Sequence, residues 1–437
     1  MGHLDADSLL QLQQYSYQAA SLLVYQSVLD APPGRAFLAL IQALQGDEPE
    51  VALRGYSQWF SALAVAQQSW QTHLVSQLLR AENPFTRQVQ RQGASSTDVL
   101  RGLPKPLVAA VRHDLQLLRS LYDCRAEQLS QWVQLMAQLS AAPTAWALED
   151  ASDNGLFLRD RGWAEALPDL VDYYQRHGTG LFAEYRVARW QKGALVGVAH
   201  ADTSQLQKLV GYEQPKQALI QNTEVLLAGL PALHVLLYGS RGSGKSSLVK
   251  ALVNQYGDRG LRLIEVTKAD LHHLPHIVEQ LRDLPQRFII FVDDLSFEED
   301  DEAFKALKVV LEGNVVARPR NVVVYATSNR RHLIREFFGD RPRPSDADEV
   351  HQWDTVQEKL SFSDRFGLTL TFEPADQPRY LTIVRHLAQQ ENLQIEPKDL
   401  EFQALQWATR HNGRSGRTAR QFIDYLSAEL TAAERSF

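Results

Sequence analysis

Gly239-Ser-Arg-Gly-Ser-Gly-Lys-Ser246, GSRGSGKS, decides how the chain is read. It fits G-x-x-x-x-G-K-[ST], with an apolar run, His234 to Tyr238, before it and an apolar-periodic helical stretch after it. Glycines at these points let the backbone turn tightly. Successive N–H groups and the N-terminus of the next helix then surround phosphate oxygens, while Lys245 offsets their charge and Ser246 can hold Mg2+. The expected ATP contacts are Gly239, Ser240, Arg241, Gly242, Ser243, Gly244, Lys245, Ser246 and Ser247.

Working outward, Phe288-Ile-Ile-Phe-Val-Asp293-Asp294 is an apolar strand ending in two carboxylates, the form of a Walker B segment. Asp293 is expected to hold the Mg2+ shell together with Ser246, and the base is either Asp294 or Glu298. Val322-Val-Val-Tyr-Ala-Thr327-Ser328-Asn329 is another buried run ending in polar residues, and Ser363-Asp364-Arg365-Phe366-Gly367 leads into a fifth run, Leu368 to Phe372. With Leu261 to Val266 these give five strands alternating with helical stretches, which predicts a parallel sheet covered by helices. From Pro378 the pattern is helical again. There Gly413-Arg-Ser-Gly-Arg417-Thr-Ala-Arg420-Gln-Phe422 opens a helix with two arginines near its start.

Upstream, residues 5–149 carry apolar residues at three-to-four spacing, such as Leu9, Leu12, Tyr15, Ala19, Leu22 and Leu23, or Leu115, Leu118, Leu121 and Tyr122. Breaks at Pro32-Pro33-Gly34, Asn83-Pro84, Gly93 and Pro104-Lys105-Pro106 predict five to eight helices. Trp59, Phe60, Trp70 and Trp132 are read as core, and no catalytic constellation is visible in this region. The expected organisation is an α-helical domain over 1–150, a mixed connector over 151–204, an α/β core over 205–375 and a helical lid over 376–437.

The whole chain has 437 residues, 44% hydrophobic and 22% charged, with a net charge of -7. That balance gives no general attraction to phosphate backbones or anionic membranes, so nucleic acid is not an expected partner. A single cysteine, Cys124, excludes an internal disulfide and is read as a helix-packing thiol. The opening MGHLDADSLL lacks a signal-peptide pattern, and Ala6 stands where a myristoylation motif needs Ser or Thr. No run reaches the roughly 20 apolar residues of a spanning helix, so the protein is expected to be cytoplasmic, with its mature chain starting near Met1. His272 and His276 stand at i, i+4, but Pro275 between them and the missing carboxylate favour an exposed helix start over a metal site. The acidic, proline-containing stretch 339–349 reads as a mobile loop.

The motif order from Leu206 to the C-terminus resembles AAA+ ATPases, and within them the bacterial family called domain of unknown function 815. The resemblance rests on Asp293-Asp-Leu-Ser-Phe-Glu298, Ala326-Thr-Ser-Asn-Arg-Arg-His-Leu333 and Ser363-Asp-Arg-Phe-Gly-Leu368. It implies an AAA+ P-loop sheet with a C-terminal lid and a subunit-interface ATPase. Asn329 then takes the water-orienting sensor 1 role, and Arg365 becomes the arginine finger directed at a neighbouring subunit's γ-phosphate. Arg417, with Arg420 as its competitor, becomes the sensor 2 arginine, and Val210 and Gly211 contact adenine. Most AAA+ proteins have Glu where this chain has Asp294. The resemblance further implies a homo-oligomer whose N-terminal region recruits a protein client.

Overall fold

The computed structural model describes residues 4–91, 95–148, 157, 162–296, 302–312, 319–329, 365–411 and 413–435. The chain divides into two compact units, Met1–Glu184 and Tyr185–Phe437.

The first unit is helical: α1 (Ala6–Ala20), α2 (Pro32–Leu44), α3 (Pro49–Ala66), α4 (Trp70–Arg80), α5 (Pro84–Arg91), α6 (Ser96–Gly102), α7 (Lys105–Tyr122), α8 (Ala126–Ala137), α9 (Leu167–His177) and α10 (Leu181–Glu184). Eight of these fall where five to eight helices were expected. Local chemistry sets their starts. Asp5, Ser69 and Ser95 accept the amide hydrogens of Ser8, Thr72 and Asp98, and Pro32, Pro49 and Pro84 stand at first helical positions, where a missing N–H costs nothing. The aromatics form the core: Phe37 stacks on Trp70 at 4.2 Å between centroids, and Trp59 meets Trp70 edge-on at 6.3 Å. Leu115, Leu118 and Leu121 are buried, as their spacing predicts. In α1 the buried stripe is narrower than the spacing suggested. Leu12 and Tyr15 are inside, but Leu9 is 40% exposed, and Leu23 is 62% exposed because the helix has already ended at Ala20. Just beyond that end, buried Asp114 accepts the amide hydrogens of Leu23, Val24 and Tyr25 at 3.0, 2.7 and 2.9 Å and fixes the turn. Cys124 is fully buried, and its surroundings push the thiol pKa up to about 12, which makes it inert at neutral pH.

Among the described residues, the second unit is built on a sheet of seven strands, not the five expected: β1 (Val187–Gln191), β2 (Ala194–Gly197), β3 (Val235–Gly239), β4 (Leu261–Glu265), β5 (Arg287–Val292), β6 (Val322–Ser328) and β7 (Leu368–Phe372). Their order is β2-β1-β4-β5-β6-β3-β7, parallel throughout except for the β1–β2 hairpin. The five predicted strands are neighbours within it, in the order β4-β5-β6-β3-β7. Neither of the two additional strands carries the continuous apolar run of a central strand. A signal for them did exist. Lys192 and Gly193, at φ 50° and 80°, form the two-residue positive-φ loop that closes a hairpin between alternating residues.

Helices α11 (Glu213–Leu227), α12 (Lys245–Tyr256), α13 (Leu274–Leu281) and α14 (Glu302–Glu312) connect these strands. Apolar residues of β3 to β7 pack with α11 and α12 into one core that includes Leu237, Leu252, Ile289, Phe291 and Tyr325. After β7 come α15 (Gln377–Gln390), α16 (Pro397–Arg410) and α17 (Gly416–Arg435), which share a separate core around Tyr380, Val384, Ala404, Phe422 and Ile423. No described helix is long and apolar enough to cross a membrane.

Candidate functional site

A cleft of about 840 Å3 opens at the carboxyl ends of the parallel strands, where open α/β sheets place ligands, between the loop after β3 and the start of α17. Gly239 ends β3 at φ 141°, with Phe372 of β7 directly alongside. A Cβ here would lie 1.9 Å from the Phe372 carbonyl oxygen, so only glycine lets the Ser240 N–H donate to that oxygen at 3.0 Å. The chain then turns through Gly242 and Gly244, at φ 74° and 89°, and enters α12 with no side-chain cap. An uncapped helix start presents its first amides to the cleft, together with the positive end of the helix dipole.

Lys245, buried at the first turn of α12, donates to the carbonyl oxygens of Gly239 and Ser240 at 2.9 and 2.8 Å. Burial pushes its ammonium below the ordinary lysine pKa, and the carboxylates of Asp293 and Asp294 pull it back up. Across the cleft the register pairs Val292 with Ala326, which brings the residues following β5 beside the end of β6. Asp293 Oδ1 accepts hydrogen bonds from the Ser246 hydroxyl at 2.6 Å and the Thr327 hydroxyl at 2.5 Å. Asp294 sits in the left-handed region at φ 53°, tolerable for aspartate, and its carboxylate accepts from Asn329 Nδ2 at 2.7 Å. Asn329 Oδ1 faces Lys245 Nζ at 3.4 Å. Ser246, Asp293, Asp294, Asn329 and Lys245 are thus one connected polar group.

The lining also includes the apolar side chains of Leu209, Val210, Ile383 and Leu387. Gly211, at φ 92°, passes under Arg379 and Ile383, and Tyr212 packs against Phe372 at 5.2 Å while donating to the Glu373 carbonyl. Arg417 lines the cleft, and its N–H donates to the Gly242 carbonyl oxygen at 3.1 Å. Arg420 also lines the cleft but binds Glu391 at 3.1 Å.

Of the predicted residues, the structure gathers Arg241, Gly242, Ser243, Gly244, Lys245, Ser246, Ser247, Val210, Asp293, Asp294, Asn329 and Arg417 around this cleft, and Gly239 and Ser240 support its floor. Arg365 is elsewhere: it precedes β7 outside the cleft lining and forms an ion pair with Glu312. Glu298, Ser363, Asp364, the string 330–333 and the stretch 339–349 lie outside the described residues. His272 and His276 converge on no metal-like cluster among the described residues, and His273 and His276 instead pack on Trp190 of β1. Sequence reasoning passed over Thr327, Lys208, Lys216, Ile383 and Leu387. The last two carried only the ordinary apolar spacing of a helix.

A family model described as "Protein of unknown function (DUF815)" matches residues 183–430, more than half of the chain. The chain belongs to the DUF815 family. No curated protein sequence matches this DUF815 member. Among solved structures it is similar to a point mutant of Thermotoga maritima RuvB, with 16% identity and a TM-score of 0.38 over 53% of this chain and 67% of that one. Similar too is AMPPCP-bound DnaA from Aquifex aeolicus, with 16% identity and a TM-score of 0.37 over 55% and 71%. At these values neither lends its activity to the DUF815 chain.

Proposed function

We propose that this protein is a P-loop ATPase of the AAA+ kind that binds ATP with Mg2+, hydrolyses it as an oligomer, and remodels or regulates a protein partner recruited by its helical N-terminal unit. One observation carries the proposal. The hydroxyl of Ser246 and the carboxylate of Asp293 meet at 2.6 Å beside the uncapped start of α12 and the Lys245 ammonium. Hard oxygen donors of this kind, few in number and open to water, suit Mg2+ held jointly with phosphate. The cleft volume suits a nucleotide, and its apolar side chains offer a face for a base.

Mg2+ would be held by Ser246 and Asp293, and when bound it would offset the charge of the phosphates. Lys245 and the first amides of α12 hold the phosphates, and Asp293 orients the metal's water shell. Asn329 fixes the Asp294 carboxylate, which takes the proton of the attacking water; Glu298 is the competing base. Arg417 supplies charge from the C-terminal helices, which act as the lid, and Arg365 reaches a neighbouring subunit once released from Glu312. The net charge and the described helices favour neither nucleic acid nor membrane, and the reading is of a cytoplasmic protein.

Purified full-length protein should turn over ATP only with Mg2+. Lys245→Ala and Asp293→Asn should each lower the rate on the order of 10²- to 10³-fold, the usual cost of removing one preorganised charged contact. Turnover per subunit should rise with protein concentration in wild type but stay flat and low in Arg365→Ala. Equal rates for wild type and Lys245→Ala would refute hydrolysis at this site. A second reading, a slowly hydrolysing switch or scaffold, is favoured by Asp294, one methylene shorter than glutamate and tied to Asn329. Partner-free turnover of wild type far above both variants would rule that reading out.

A further inference from the structure

We infer that Thr327, to which the ATPase reading gives no role, is the positioning residue that sets both carboxylates of the site. The inference rests on that reading and deepens it. Thr327 is 2% exposed at the end of β6, and three hydrogen bonds leave it for the segment after β5. Its hydroxyl oxygen accepts the Asp294 N–H at 2.9 Å, its hydroxyl reaches Asp293 Oδ1 at 2.5 Å, and its carbonyl oxygen accepts the Leu295 N–H at 2.7 Å.

The direction of the hydroxyl is forced. An amide can only donate, so the Thr327 oxygen accepts from Asp294. An ionised carboxylate can only accept, so the single hydroxyl hydrogen goes to Asp293. The resulting chain runs from Asp294 N–H through Thr327 to Asp293 Oδ1. That oxygen also accepts from Ser246, so two hydroxyls engage it.

The same bonds secure the left-handed turn at Asp294, φ 53°, from which its carboxylate meets Asn329. Without the hydroxyl, Asp293 would lose one of its two orienting donors and the Asp294 amide its partner. Outer partners of this type typically govern metal affinity by about 10- to 100-fold. Serine would keep the hydroxyl, and valine would keep the shape without it.

The test is equilibrium binding of fluorescent mant-ATP to the full-length protein, titrated with Mg2+ and compared with binding in EDTA, alongside steady-state kinetics. Thr327→Val should leave binding in EDTA unchanged, raise half-saturating Mg2+ about 10- to 100-fold and lower kcat more than it raises KM. Thr327→Ser should restore both toward wild type. Wild-type Mg2+ dependence in Thr327→Val would overturn the inference. So would loss of EDTA-resistant binding in Thr327→Val, or loss of the Mg2+ response in Thr327→Ser, because either would assign the effect to packing and not to the hydroxyl. Wild-type protein that binds no mant-ATP under either condition would overturn the ATPase reading and this inference with it.

Discussion

Asp114 of the helical unit and Asp293 of the sheet unit are both carboxylates that collect several donors, yet they are built for opposite ends. Asp114 is fully buried and takes three backbone amides, groups that cannot rotate away. Asp293 is exposed and takes two hydroxyls, which can turn and share their oxygens with another ligand. Other polar groups repeat the contrast. In the first unit Trp70 Nε1 ends on the Leu121 carbonyl and Tyr174 on the Leu78 carbonyl. At the carboxyl edge of the sheet, the side chains of Ser246, Thr327 and Asn329 end on carboxylates. Fixed partners make a frame, and exchangeable partners make a site.

Four variants would break or sharpen this contrast. The largest effect belongs to Asp114→Ala, which strands three amides in the interior. It should cost the helical unit about 3–5 kcal/mol in chemical denaturation and leave mant-ATP affinity of the sheet unit unchanged. Asp293→Asn should do the reverse, with turnover lost and the unfolding midpoint kept.

Next comes pH. Burial, with a smaller contribution from Arg80, lowers the His73 pKa from 6.5 to about 4, so its imidazole stays neutral in the fold. The unfolded chain binds that proton near pH 6.5 and the folded chain does not until about pH 4. Stability is therefore complete above the unfolded value and is lost as pH falls toward the folded one, by about 3 kcal/mol. His73→Gln should flatten that slope in denaturant titrations of the helical unit, while an unchanged slope would remove His73 as its source.

The smallest effect is expected at Gly193. An alanine there meets no neighbour within 4 Å, so only the positive φ of 80° matters. Gly193→Ala should lower stability by about 1 kcal/mol without altering turnover. A larger loss would mean that the β1–β2 hairpin supports more of the sheet than its exposed edge suggests.

Much of the architecture was legible in advance. Strands β3 to β6 announced themselves as near-continuous apolar runs because both faces of a central parallel strand are covered, whereas β7, at the sheet edge, alternates. The β1–β2 hairpin did not, since an edge pair of four and five residues buries one face at most. Within the helical unit, spacing identified Leu115, Leu118 and Leu121 correctly but overstated α1, where a chain turn held by Asp114 takes over from helical periodicity. At the cleft, the glycine loop and the acidic strand end were readable, whereas Thr327 looked like a strand terminus.

By itself the sequence determined the phosphate-loop pattern, since eight consecutive residues fix the turn, the uncapped helix start and the lysine without help from elsewhere. It also determined the five apolar strands and the helical character of the first unit, which depend on local spacing. Only the tertiary structure decided that Thr327 bridges Asp293 and Asp294, that Arg417 docks by its backbone on Gly242, and that Arg365 pairs with Glu312. Each of these joins residues more than thirty positions apart. Such contacts arise from strand register and helix packing, which no local pattern encodes.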